Sequence, residues 1–254
     1  MEGPNVADLP KPGAGGRLPV GAFARPDVVP YIACWSSEHR PPGVVVVRGG
    51  GIAYADEGPY ERDSMGVLWK RIGLSPGKGR PEFGKVHFLR QRRAMRKLLC
   101  QVCGGPSDRT GEGTLWLVGE DAGGPELWEP GYVTTHPPVC VPCAVMSVGA
   151  CPHLREVYVA LRVRAFVPVG VHGALYRPDG PFPVVYDADG VAFESARIGW
   201  VLASQLIMEF QEFTVVDLEA EHAAYLERRK RGGESSGGTR TIDSGPASNS
   251  RPGA

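Results

Sequence analysis

The chain has 254 residues with 28 basic and 28 acidic side chains, so its formal net charge is zero. That balance excludes a global field that would gather nucleic acid or an anionic membrane, and any such contact must rest on a local patch. Apolar residues make up 42%, enough for a core, while Gly 35 and Pro 24 favour turns and loose ends.

Residues 1–21 are rich in Pro and Gly and contain no apolar run that reads as a signal peptide. They are expected to be disordered. No stretch is apolar enough for a membrane span, so the expected location is the cytoplasm, with no membrane partner. Residues 22–99 read as a β-rich region ending in a basic helix. Val28–Trp35 is a candidate strand, and Val44–Val47 leads through Gly49-Gly50-Gly51 into the strand Ile52–Ala55. Met65–Lys70 is another strand, and Pro76–Gly84 a loop. Phe88–Leu99 has helical spacing, with Phe88, Met95, Leu98 and Leu99 on one stripe.

Residues 100–154 contain the sharpest chemical signature. Cys100-Gln-Val-Cys103 and Cys140-Val-Pro-Cys143 are two Cys-x-x-Cys pairs. In a reducing compartment such pairs read as metal ligands rather than disulfides. Each tight turn supplies two thiolates, and four complete a tetrahedral structural zinc site. Thr114–Val118 reads as a strand inside the finger, and the second pair opens a short helix, Ala144–Val148, where the helix terminus favours thiolate. Cys151 and His153 follow closely, but eight residues of intact helix put Cys151 about 12 Å from Cys143, whereas sulfurs sharing one zinc lie within about 4.6 Å. Cys34 reads as core and His136 as a loop residue.

Residues 155–231 read as an α+β region packed on the first. Glu156–Val169 is strand-like, Val184–Tyr186 and Val191–Phe193 flank Asp187–Gly190 as a hairpin, Ile198–Phe210 has helical spacing, and Phe213–Val216 is a short strand. His172 reads as a structural strand residue. Glu219–Lys230 is a polar terminal helix, and 232–254 a disordered tail. The expected fold class is α+β: a β-rich core with an embedded treble-clef or zinc-ribbon-like finger.

The run Arg90–Cys103, with Pro138–Cys143 and Cys151–Leu154, resembles uncharacterised actinobacterial proteins that carry a double-Cys-pair finger. The resemblance implies no activity.

Lys85, Arg90, Arg92, Arg93, Arg96 and Lys97 fall in one stretch without an acid. On a helix they form a basic face for phosphates or a protein partner. The bland alternative is that they balance the charge of four zinc thiolates. Two functions follow. The first is a zinc-stabilised, non-catalytic binding or adaptor protein that contacts a protein or nucleic acid through Arg90, Arg92, Arg93, Arg96 and Lys97. The second is a metal-dependent HNH-like nuclease on the same finger, with Asp108, Asp121 and His136 as its candidate groups. No Ser-His-Asp or Cys-His pattern stands out.

Overall fold

The computed structural model describes residues 28–119 and 131–234. The segment 1–21 lies outside them, as do Asp121 and all of the expected tail beyond Glu234.

The chain is α+β and β-rich. Its centre is a seven-stranded sheet built on two long antiparallel strands, β9 (Tyr158–Arg177) and β11 (Val201–Val216). They pair from Val201 opposite Leu175 to Val216 opposite Ala160. On the outer edge of β9, β7 (Gly113–Gly119) takes the first half and β10 (Val184–Ala192) the second. On the outer edge of β11, β4 (Leu68–Trp69) pairs in parallel at Leu202 and Ala203, and β8 (Tyr132–Thr134) pairs antiparallel at Met208–Phe210. The short β6 (Arg109–Thr110) forms a hairpin with β7.

Both faces of this sheet are covered, so β7 carries a continuous apolar run rather than an alternating one. Trp116 and Val118 face one core with Met95, Leu161, Val163 and Phe210. Leu115 and Leu117 face the other with Cys100, Val139, Cys143 and Leu218. Trp116 is fully buried between Phe166 and Phe210, edge-on to both at 5.1 and 5.0 Å, and its Nε1 donates to the His136 carbonyl at 2.9 Å. The aromatic geometry adds to the area it buries.

Helix α1 (Phe88–Lys97) packs on β11. Its Gln91 reaches the outer edge of β11 between β4 and β8, where no strand pairs with Leu206 on the side away from β9. The Gln91 amide donates to the Leu206 carbonyl at 3.0 Å and to Thr135 O at 2.7 Å, and its Oε1 accepts from Leu206 N at 3.0 Å. One buried side chain thereby satisfies a backbone donor and acceptor that the sheet leaves open. On the opposite face α2 (Val141–Ala150) packs against α4 (Leu218–Glu234), and the short α3 (Pro152–Glu156) follows α2. Arg162, buried on that face, holds Asp108 Oδ1 at 2.6 Å and pairs with Glu221 of α4.

Two smaller sheets complete the fold. β1 (Ala33–Trp35) pairs with β5 (Pro81–Val86), and β2 (Val45–Arg48) with β3 (Gly51–Tyr54). Gly49 and Gly50, both at positive φ, make the two-residue turn that the glycine run predicts.

Several elements differ from the sequence reading. Ile198–Phe210 is not a helix: a 3-10 turn, Ile198–Trp200, leads into β11. The pairing with β9 slips at Ala203/Gln205, Ile207/Met208, Phe210/Glu212 and Glu212/Phe213, and the slips that leave Ser204 and Gln211 as extra residues in β11 break the period of two that marks a strand. Val184–Ala192 is one strand, not a hairpin, and the turn lies before it, between Arg177 and Val184. The predicted loop Pro76–Gly84 gives way to strand at Pro81, where β5 begins, and only Ala33–Trp35 of the first candidate strand is paired. The segment between the cysteine pairs is woven into the main sheet through β7. Helix α4 continues to Glu234, beyond Gly232, where the sequence predicts the tail to begin.

Candidate metal centre and basic helix

Helix α1 starts at His87, whose Nδ1 accepts from the Arg90 backbone N–H at 3.3 Å. It ends at Leu98, which adopts a left-handed conformation (φ 49°), the only non-glycine positive φ among the described residues. That reversal turns the chain into the first cysteine pair. Cys100 N donates to Gly105 O at 2.7 Å and Gly104 N to Cys100 O at 2.9 Å, closing a tight knuckle. Gly104 sits at φ 72°, and a Cβ there would come within 2.8 Å of the Tyr31 ring. Only glycine fits both demands.

The second pair is brought alongside by backbone bonds. Gln101 N donates to Pro138 O at 2.9 Å, Val139 N to Leu115 O at 2.9 Å, and Asp108 N to Val139 O at 3.1 Å. Cys140 then caps the N-terminus of α2, with Pro142 in the first turn. The result is a knuckle, the β6–β7 hairpin, and a helix whose first turn carries the second pair.

The four sulfurs of Cys100, Cys103, Cys140 and Cys143 all lie within 4.8 Å of one another. Cys103 and Cys140 are 3.9 Å apart, against about 3.8 Å for the edge of a tetrahedron with 2.3 Å bonds. It is the only metal-capable group of three or more His, Cys, Asp or Glu side chains among the described residues. Cys100 is fully buried and Cys103 exposed. The Cys140 thiol beside it lowers the pKa of Cys100 against the effect of burial, and the same contact and burial raise that of Cys140. Burial, with the charge on Cys100, raises Cys143. Four sulfurs this close do not ionise together without a cation among them. The donor set therefore fits a soft tetrahedral metal, and such a metal displaces the remaining thiol protons on binding. Cys151, one residue past α2, and the exposed His153 stand outside the cluster, in line with the helix-length argument.

The basic helix is divided. Arg90 is only 6% exposed and points inward, its Nη1 2.6 Å from Glu38 Oε1, so it is withdrawn from the expected binding face. It is a framework residue because α1 packs its Arg90–Gln91 side against the fold. Arg92 lies over the Trp69 ring at 4.3 Å. Arg96 meets Asp63 Oδ2 at 3.2 Å, Arg93 donates to the Tyr31 hydroxyl at 2.9 Å, and Lys97 is exposed. Burial lowers the Arg92 pKa, and the nearby charge of Arg96 lowers it further.

Comparison with protein-family models, curated proteins and solved structures finds no match. No helix among the described residues is long and apolar enough to cross a membrane.

Proposed function

We propose that this chain is a non-catalytic binding protein of the cytoplasm, built around a structural zinc in a treble-clef-like finger, that engages an anionic partner surface through the outer face of α1. The observation that carries the reading is the cation cluster Arg92, Arg93, Arg96 and Lys97 on one helix face. Asp63 is the one carboxylate that pairs with it among the described residues. Like charges one turn apart repel unless something answers them, and an anionic surface does so. The six unpaired cysteines suit a reducing compartment.

The nuclease alternative draws less support. It needs Asp108 at a second metal, yet Arg162 holds one Asp108 oxygen and Arg228 lies 3.3 Å from the other. His136 contributes its carbonyl to Trp116, which ties that loop to the core.

The test is charge reversal at Arg93, Arg96 and Lys97 together, with binding to a short DNA duplex, a single-stranded RNA and polyglutamate measured alongside zinc content. Wild type is expected to bind at least one polyanion, and the variant at least tenfold more weakly with zinc retained. For DNA, the salt slope is expected to fall by about 0.9 for each phosphate that the variant no longer neutralises. Unchanged binding, or loss of zinc in the variant, contradicts the reading.

A further inference from the structure

Away from the cysteines, a cleft of about 580 Å³ opens between the β2–β3 hairpin, the β1–β5 pair and the start of α1. That is within the ordinary range for a small-molecule site. Its lining includes the buried Cys34, Tyr54 and Leu202, together with Phe88 and Tyr176. Burial raises the pKa of both tyrosines, and the Tyr54 hydroxyl accepts from Arg71 N at 3.3 Å. Burial, with the nearby Glu38 charge, pushes the Cys34 thiol up to about 11, so it is a neutral wall rather than a nucleophile.

The polar lining is basic. His39, Arg40, Lys70, Arg71 and Lys85 line the cleft, and among the described residues no carboxylate does. Three of these are already answered from outside. Arg71 bonds Glu61 and Asp56, with its guanidinium 4.0 Å over Tyr54, and Glu82 takes both His39 and Lys85. Arg40 and Lys70 have no carboxylate partner among the described residues, and the Lys70 ammonium rests 5.0 Å over the Phe88 ring.

We infer that this cleft binds a small organic anion, a flat ring system bearing a phosphate or carboxylate, with its ring against Tyr54, Phe88 and Tyr176 and its charge at Lys70 and Arg40. An aromatic-lined pocket accepts an apolar body by area. Two exposed, uncompensated cations at its mouth supply a charge-assisted anchor. A neutral ring leaves the cations unused, and a bare anion leaves the apolar surface unused, so neither half alone satisfies the site. The cleft shares no residue with the cysteine tetrad or with Arg93, Arg96 and Lys97, so its failure and that of the polyanion reading are separately visible.

The test is titration calorimetry on the full chain with the four nucleoside 5′-monophosphates and 2-naphthoate, each against its neutral ring compound and its bare anion. At least one intact probe is expected to bind in the millimolar range or tighter, and at least tenfold more tightly than either half. Lys70→Glu and Arg40→Glu each weaken that probe at least tenfold, while Lys70→Arg restores binding. Both positions are exposed, so the melting temperature should hold. Absence of binding by every intact probe at millimolar concentration, equal binding by a half, or indifference to Lys70→Glu overturns the inference.

Discussion

Cys100→Ser is expected to abolish metal binding and to lower the melting temperature by more than any other single substitution in the cysteine tetrad. Cys100 has no solvent exposure and belongs to the same buried cluster as Leu115, Leu117, Val139 and Ala160, on the α2 face of the main sheet. Its backbone closes the first knuckle on Gly105, and the neighbouring Gln101 anchors the segment that leads into the second pair. Losing the metal leaves three close thiols without a cation and leaves the two turns to their backbone hydrogen bonds alone. Metal-binding free energy is folding free energy in such sites. The sheet has its own core, so the loss should fall short of the whole metal term. About 5 kcal/mol corresponds to a fall of roughly 10–20 °C in a chain of this size. Cys151→Ser serves as the control: Cys151 stands outside the tetrad and should leave metal content and melting unchanged. Thermal melting with and without a zinc chelator checks both. The chelator should bring wild type down to the Cys100→Ser value.

The second large effect lies in the buried Glu38–Arg90–His87 group. The Glu38 carboxylate accepts from Arg90 Nη1 at 2.6 Å and Nη2 at 2.8 Å, from Trp35 N at 2.8 Å and from Ser75 N at 3.1 Å. It thereby ties β1, the loop before β5 and α1 together. Glu38→Gln leaves the Arg90 guanidinium buried without its counter-charge, and breaking such a pair from one side costs about 3–5 kcal/mol. The double variant Glu38→Leu/Arg90→Met should be less damaging than Glu38→Gln, because no charge is stranded.

Acid should act on the same group. Burial pushes the Glu38 carboxyl up, but the Arg90 bond and the Trp35 and Ser75 amides outweigh it and lower its pKa from 4.5 to about 2. The unfolded chain therefore takes a proton at Glu38 before the native chain does. Stability that is full above pH 4.5 is lost as pH falls towards about 2. His87 adds a loss that starts at higher pH. Burial lowers its pKa below 6.5 against the opposing Gly73 carbonyl, so the unfolded chain protonates it first as pH falls. Urea denaturation midpoints from pH 7 to pH 3 should fall in wild type. The fall below pH 4.5 should flatten in the Glu38→Leu/Arg90→Met variant.

The metal cluster and the terminal helix are legible from sequence because their signals are local: repeated spacing in one, composition and period in the other. The two-residue glycine turn between β2 and β3 is legible for the same reason. β11 misleads because extra residues at Ser204 and Gln211 break its alternation, so its apolar spacing imitates a helix. The inward turn of Arg90 is invisible in one dimension. Its partner Glu38 lies 52 residues away, and nothing in Arg90–Lys97 distinguishes the arginine that packs from those that face water. The cleft is hidden for a related reason: its lining comes from segments as distant as Cys34 and Leu202. Gln91 could have been singled out as a neutral residue inside a run of cations, although its task at Leu206 depends on a gap in the sheet edge that only the fold creates.

The central claim is that the four cysteines hold one structural zinc. Elemental analysis with X-ray absorption at the metal edge, on chain purified without added metal, tests it most directly. The account predicts one zinc per chain with four sulfur neighbours at about 2.3 Å, lost on Cys100→Ser. Iron in its place, a shell containing nitrogen or oxygen, or no metal with melting unchanged by the chelator would contradict it.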